Sequence, residues 1–424
     1  MSRSMTRRKF FRRTGQALLA SGTVAYGSAV EEAHAQEQPA ERGVDYYSKL
    51  GVTPFINAAG VYTLLSASIL PAEVQAAMSR AAQQPVNIKE LHRAAGEYLA
   101  RRLHCEAALV TAGAASALTL GTAACVTLGN DQAIVNIPAD LTGLKNEVII
   151  QKAHRYTFDH ALRNCGIKFV EVVTLQEYEA AFNEHTVMAH FFNAAEGGQI
   201  SREDWVRVAH KHGVPCFNDA ADDMPPISNL WNYTRMGFDL VTFSGGKGIR
   251  GPQCTGLLLG RKDLIETAVK NDSPNENTIG RGMKVGKEEI IGLVAAVDWL
   301  LSQDEEAMQA DFQKRAERIA GQVKGIPTVE TKIIIPPVAS RVPHLVIAYG
   351  QDRIKLNGRE VMAKLREGTP RIELNPGTGG GDVGYAGLPS GTNILIVGVW
   401  MLQPSEDLIV GRRLREVLRD AMQT

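Results

Sequence analysis

The 424-residue chain lacks an excess of charge of either sign: Lys+Arg and Asp+Glu stand at 46 each. That removes the general electrostatic case for a nucleic-acid partner. It is also poor in cysteine. Cys105, Cys125, Cys165, Cys216 and Cys254 form no CxxC pair and no metal-ligand spacing, so neither a zinc site nor a disulfide framework is expected. Several sit in apolar surroundings, as in Val214-Pro215-Cys216-Phe217, and read as buried reduced thiols used as small hydrophobes. The histidines make no HxxxH or HExxH pattern, and His210 and His212 diverge on a helix, so no metal is expected. No apolar run is long enough to cross a bilayer, and no internal repeat or low-complexity tract interrupts the chain. What remains is a globular composition, 44% hydrophobic and 22% charged, with length enough for two packed lobes.

The first 35 residues read as a leader rather than as part of the fold. Arg7-Arg8-Lys9-Phe10-Phe11 is followed by a short, Gly- and Ser-diluted apolar stretch from Ala17 to Ala29, then by Ala33-His34-Ala35 at a cleavage position. This resembles a twin-arginine export signal and implies the twin-arginine machinery as a partner, a periplasmic destination and no permanent membrane anchor. Removing the leader's six Lys/Arg and two Asp/Glu leaves 40 against 44, a mature chain of net charge −4.

Residues 36–54 read as an N-terminal arm. From Phe55 on, short apolar runs alternate with amphipathic stretches. Ala107–Thr111, Ala133–Ile137, Val148–Ile150, Phe169–Val173, Val187–Phe192, Pro215–Asn218, Leu240–Phe243 and Gly256–Leu259 are predicted strands. Ile88–Leu103, Phe158–Asn164 and Asp204–His212 are predicted helices. Such alternation predicts an α/β fold with a mostly parallel sheet covered by helices on both faces. Long helical patterns at 286–302 and 305–323 lead to a smaller α+β region. Its strands fall near 329–335, 343–349, 371–374 and 393–400, before a closing helix at 405–422. The division is a large domain at 55–300 and a small one at 301–424.

Three features carry chemistry. In Ser244-Gly245-Gly246-Lys247-Gly248-Ile249-Arg250-Gly251-Pro252-Gln253 a predicted strand runs into a loop whose lysine is flanked by glycines. Gly248 after Lys247, where a P-loop needs Ser or Thr, excludes that motif. An amine freed by its small neighbours suits Schiff-base chemistry, a solvated turn lysine being the bland alternative. Asp219 ends a predicted strand 28 residues earlier, where open α/β sheets bind ligands, and can hold a protonated ring nitrogen or simply cap a helix. Gly113-Ala114-Ala115-Ser116 leads from a strand into a helix, and its free amides and hydroxyl make a phosphate cradle or a close-packed turn.

Cradle, acid and lysine, in that order and each at a strand end, resemble the fold-type-I pyridoxal-phosphate enzymes of the aminotransferase superfamily. Ser-Gly-Gly-Lys-x-Ile-x-Gly-Pro-Gln is most similar to the group around bacterial selenocysteine synthase and the glucosaminate-6-phosphate ammonia-lyase-like proteins. Phe55-Ile56-Asn57-Ala58-Ala59-Gly60 and Gly280-Arg281-Gly282-Met283-Lys284-Val285 match as well. The resemblance implies pyridoxal 5'-phosphate bound as an imine to Lys247, with Asp219 on the ring nitrogen. It implies phosphate held by Gly113, Ala114, Ala115, Ser116 and Ser244. His154 falls where the group places a ring-facing residue, or is a histidine satisfied at a helix start. Arg281 and Arg371 are candidates for a substrate carboxylate, a salt bridge being the alternative for either. A homodimer or higher homo-oligomer acting on a small amino-acid-like substrate follows by analogy. The reaction implied is β-elimination of an amino acid or amino-sugar acid. Alternatives are a racemase, aldolase or transferase on the same cofactor, or an exported binding protein on a decayed scaffold, against which Lys247, Asp219 and Ser244 stand intact.

Two departures are visible. Selenocysteine synthase proper acts on charged tRNA through a dedicated N-terminal domain, whereas about 20 residues separate the cleavage position from the first matched motif. Asp222-Asp223 add acids where the group has fewer, and read as loop or helix-cap residues. Gly379-Gly380-Gly381-Asp382-Val383-Gly384 satisfies GxGxxG but is surrounded by Pro376, Gly377 and Pro389 and leads into a strand, so it reads as a loop and not as a dinucleotide site.

Overall fold

The structure, a computed structural model, describes residues 44–195, 198, 200–381 and 387–423. The proposed leader lies outside these residues, as does Asp382-Val383-Gly384 of the GxGxxG stretch. The chain divides into a short unit ending at Val52 and a second unit, Thr53–Thr424. The described part of the first is one helical turn, Tyr46–Leu50, whose start is capped by the Asp45 carboxylate.

The second unit opens with strand β1 (Phe55–Ala58). It continues through β2 (Ala107–Thr111), β3 (Glu147–Gln151), β4 (Lys168–Val172), β5 (Thr186–Phe192), β6 (Cys216–Asp219), β7 (Leu240–Ser244) and β8 (Gly256–Gly260). The last four strands are β9 (Glu330–Ile334), β10 (His344–Ala348), β11 (Arg371–Leu374) and β12 (Ile394–Gly398). Strands β2 to β8 form a seven-stranded sheet in the order β2-β8-β7-β6-β5-β3-β4, in which β8 alone runs against its neighbours. The apolar runs are continuous because both faces are covered. Val148 packs in one core and Ile149 in another, and Leu240 and Val241 divide the same way.

Local signals fix most helix boundaries. Ile88–Leu103 is a helix as predicted: the Asn87 side chain accepts the Lys89 and Glu90 amides, Ala95, Leu99 and Leu103 face inward, and His104 closes the end in a left-handed conformation. Ala133–Ile137, predicted as a strand, is instead part of a helix, Asp131–Asn136. The Asn130 side chain caps that helix, and only Ala133 and Ile134 of it are buried. Phe158–Asn164 resolves into a 3-10 turn and one short helix with Phe158 exposed.

A second core gathers the antiparallel sheet β9-β10-β12 and the helices Glu305–Val323 and Glu406–Gln423. Ile56, Ala58 and Val61 belong to it too, because β1 pairs in parallel with β11, Phe55 opposite Arg371. The segment that the sequence reading gave to the large domain therefore packs with the C-terminal half.

Candidate active site

Strands β2, β3, β5, β6 and β7 run in one direction, so Thr111, Gln151, Phe192, Asp219 and Ser244 end along the same edge of the sheet. Ligands gather at that edge in open α/β folds.

Lys247 stands three residues beyond the end of β7. Its Nζ lies 3.5 Å from Asp222 Oδ1, both side chains being mostly buried. The flanking glycines are required by the protein's own backbone. A Cβ on Gly245 would come within 2.1 Å of Thr255 Oγ1, and one on Gly248 within 2.3 Å of the Met224 carbonyl oxygen. Ser68 Oγ donates to the Gly246 carbonyl at 2.7 Å, and Arg250 reaches the Trp400 carbonyl at 2.9 Å. The loop is thus fixed on every side while its amine faces an acid.

Asp219 is buried at the end of β6. Its Oδ1 accepts the Ala221 amide at 3.0 Å and its Oδ2 accepts the Tyr156 hydroxyl. Burial raises the carboxyl above its usual range, opposed by the Tyr156 hydrogen bond, the Ala221 amide and the Lys247 charge. Asp222 and Asp223 are not helix caps. Asp222 turns to Lys247, and its Oδ1 lies 3.2 Å from Ser340 Oγ. Asp223 is buried, accepts from Tyr233 at 2.8 Å and from Asn193, and is pushed up to about 6 by burial.

The proposed cradle is a helix start, Ala114–Thr127, preceded by Gly113 at φ +91° with no side-chain cap. Among the described residues nothing accepts from the amides of Ala114, Ala115 and Ser116, and a Cβ on Gly113 would meet nothing nearer than 3.9 Å. Behind it, Gly256 allows β8 to touch the turn, since its Cβ would lie 2.4 Å from Gly113 C. Uncapped amides facing open space suit an anion. Ser116 differs from expectation: its hydroxyl donates to the Ala112 carbonyl at 2.8 Å, so its amide, not its proton, is on offer. Ser244, at the end of β7, has no hydroxyl partner among the described residues.

His154 is held inside, at the short helical turn that follows β3. It is 2% exposed, accepts the Phe192 amide on Nδ1 at 3.3 Å and meets the edge of Phe191 at 4.4 Å. A Cβ on Gly198 would lie 2.6 Å from its Nε2. Burial, with Arg202 nearby, pushes it down to about 4, so it is neutral at ordinary pH. The side chain that reaches Asp219 is Tyr156, two residues on, which the sequence gave no signal for. Arg281 is exposed in the turn that follows Thr278. Arg371 is exposed at the start of β11, opposite Phe55. Asn375, just past the end of β11, donates to Tyr62 at 2.7 Å. Away from the site, His210, Cys216 and Asp239 offer three possible metal-ligand atoms within 4.8 Å. Arg261 and the Cys216 amide already hold that carboxylate, at 3.1 and 2.7 Å.

Architecture and strand-end site together define an enzyme of the aminotransferase-like fold type I. A high-resolution structure of SPT with its PLP internal aldimine shares that fold (TM-score 0.55, 12% identity, 87% of this chain and 88% of that one). Residues 55–341 match the family described as SelA: L-seryl-tRNA selenium transferase, and the chain belongs to that family. It is 29% identical over 334 residues to a D-glucosaminate-6-phosphate ammonia lyase of Salmonella typhimurium (strain 14028s / SGSC 2262), covering 76% of this chain and 87% of that one. A solved structure of D-glucosaminate-6-phosphate ammonia-lyase superposes with TM-score 0.75 at 26% identity, over 89% of this chain and 99% of that one.

Proposed function

We propose that the chain is a pyridoxal-phosphate-dependent lyase of the ammonia-lyase type, acting on an amino acid or amino-sugar acid that carries a β-hydroxyl. One observation carries the reading: a lysine amine 3.5 Å from an acid, in a glycine-walled loop beside a buried strand-end aspartate. Similarity to ammonia lyases supports the choice of reaction. The cradle, the amine and the buried acid fit the cofactor's phosphate, aldehyde and ring nitrogen. When bound, pyridoxal phosphate supplies the electron sink that acidifies the substrate Cα–H.

The chain's own residues do the rest. Lys247 Nζ would hold the cofactor's aldehyde and, as a free amine, would take the Cα proton. Asp222 faces the ammonium so formed. Asp219 holds a cationic ring nitrogen away from water. The amides of Ala114, Ala115 and Ser116, with Ser244, bind the phosphate. Arg281 remains the candidate for the substrate carboxylate. The β-hydroxyl departs as water with the abstracted proton, and readdition of water leaves a 2-oxo acid and ammonia.

Borohydride reduction followed by peptide mapping should place the cofactor on Lys247. Reaction of β-hydroxy amino acids and amino-sugar acids in deuterated water should then release ammonia and a 2-oxo acid. Cα deuterium with inverted configuration and no ammonia would replace the lyase by a racemase. Export through the twin-arginine pathway, folded and cofactor-loaded, is part of the same proposal, since a cofactor made inside the cell is best acquired there. Changing Arg7 and Arg8 to Lys should retain the protein in the cytoplasm, and unchanged fractionation refutes that route. A homodimer or higher assembly is proposed by analogy, to be read from light scattering.

A further inference from the structure

Tyr156 sits beyond the end of β3, its ring flat against Phe192 with centroids 3.9 Å apart and planes 8° from parallel. Its hydroxyl donates its single proton to Asp219 Oδ2. The same oxygen lies 3.2 Å from His190 Nε2. His190 is fully buried, and with the Tyr156 proton committed to Asp219 its Nε2 is placed to donate to the Tyr156 oxygen. His190, Tyr156 and Asp219 thus stand in a row, with Tyr156 donating to one carboxylate oxygen and the Ala221 amide to the other. Both groups behind Asp219 are held in their neutral forms: burial pushes His190 down to about 3, and burial with Asp219 beside it holds the Tyr156 phenol well above its usual range.

We propose that Tyr156, backed by His190, is the positioning residue that keeps Asp219 ionised and aimed for the cofactor's ring nitrogen. The proposal rests on the pyridoxal-phosphate reading above and names a residue that reading does not need. An acid buried this deeply favours its neutral form, and a neutral Asp219 cannot hold a cation. The charged and titratable groups facing it are Tyr156, Lys247 and Asp222, with His190 behind Tyr156. Among the described residues Tyr156 alone donates to it from a side chain, opposing burial with a hydrogen bond strengthened by the charge it stabilises.

The test is cofactor binding, not turnover. Titrating the apo-protein with pyridoxal phosphate from pH 6 to 9, followed by absorbance, gives an affinity profile. Tyr156→Phe keeps the ring on Phe192 and removes only the hydroxyl. Its affinity should fall roughly tenfold, the weight of one hydrogen bond to a charged group, and its acid limb should move to higher pH. His190→Leu should weaken binding in the same direction, and His190→Gln, which restores a donor near Nε2, should recover it. An unchanged Tyr156→Phe profile overturns the proposal. Tighter binding overturns it as well, because the hydroxyl would then be competing with the cofactor for Asp219. Wild-type protein that binds no cofactor at all defeats the pyridoxal-phosphate reading itself, a separate result.

Discussion

Asp223 shows how a buried acid beside the site sets the pH behaviour of the fold. Its folded value, about 6, lies above the ordinary 3.8, so between those limits the folded chain holds a proton that the unfolded chain has lost. Stability from this group is therefore greatest at low pH and declines as pH rises from about 4 through about 6. The amplitude is on the order of 2–3 kcal/mol. Asp223→Asn keeps an acceptor for Tyr233 and Asn193 and removes the titration. Urea unfolding at pH 4.5 and 7.5 should show the wild type losing stability relative to the variant at the higher pH; parallel curves would contradict the assignment. Replacing Asp219 with Ala should weaken cofactor binding through loss of the ring-nitrogen partner, read from an absorbance titration of the apo-protein with pyridoxal phosphate.

At the scale of elements, two substitutions separate folding from binding. Ala115→Asp places an anion in the first turn of the helix Ala114–Thr127, where it favours the helix by a few tenths to about 1 kcal/mol and repels a phosphate. The melting temperature should hold or rise while pyridoxal-phosphate affinity drops tenfold or more; equal affinity would move the phosphate elsewhere. Gly248→Ala sets a methyl 2.3 Å from the Met224 carbonyl oxygen, so the Lys247 loop must shift. Both melting temperature and the yield of the borohydride adduct should fall, measured by scanning calorimetry and peptide mapping. These elements were legible because their signals are local: apolar runs of strand length, Asn87 as a cap, glycines around one lysine. Ala133–Ile137 misled because composition favours a strand, while the cap at Asn130 and the exposed Val135 decide for a helix. Tyr156 was invisible for the opposite reason. Nothing in its neighbours along the chain announces an aspartate 63 residues away.

For the whole molecule, the least legible strand pairing is also the longest in sequence among the described residues. β1 pairs with β11 across more than 300 residues, and no periodicity within either strand selects that partner. Ile56 and Ala58 are buried in the C-terminal core, so Ile56→Ala should cost about 2–5 kcal/mol and be visible as a lowered urea midpoint. It should also loosen the turn after β1, where the Asn57 side chain accepts the Ala59 and Gly60 amides at 3.0 and 3.1 Å. Function at this scale is carried by two halves that fold around each other's ends.

Two of the attachments that hold the amine's surroundings come from the C-terminal part of the chain. Ser340 Oγ lies 2.7 and 2.9 Å from the Asp222 and Met224 carbonyl oxygens, either of which can take its proton, while Arg250, three residues past Lys247, is anchored on the Trp400 carbonyl. Acid and amine are therefore moored to one body. A tilt of that body would carry Asp222 and Lys247 along as a fixed pair, so the entrance can widen or narrow while the spacing between proton donor and acceptor stays calibrated.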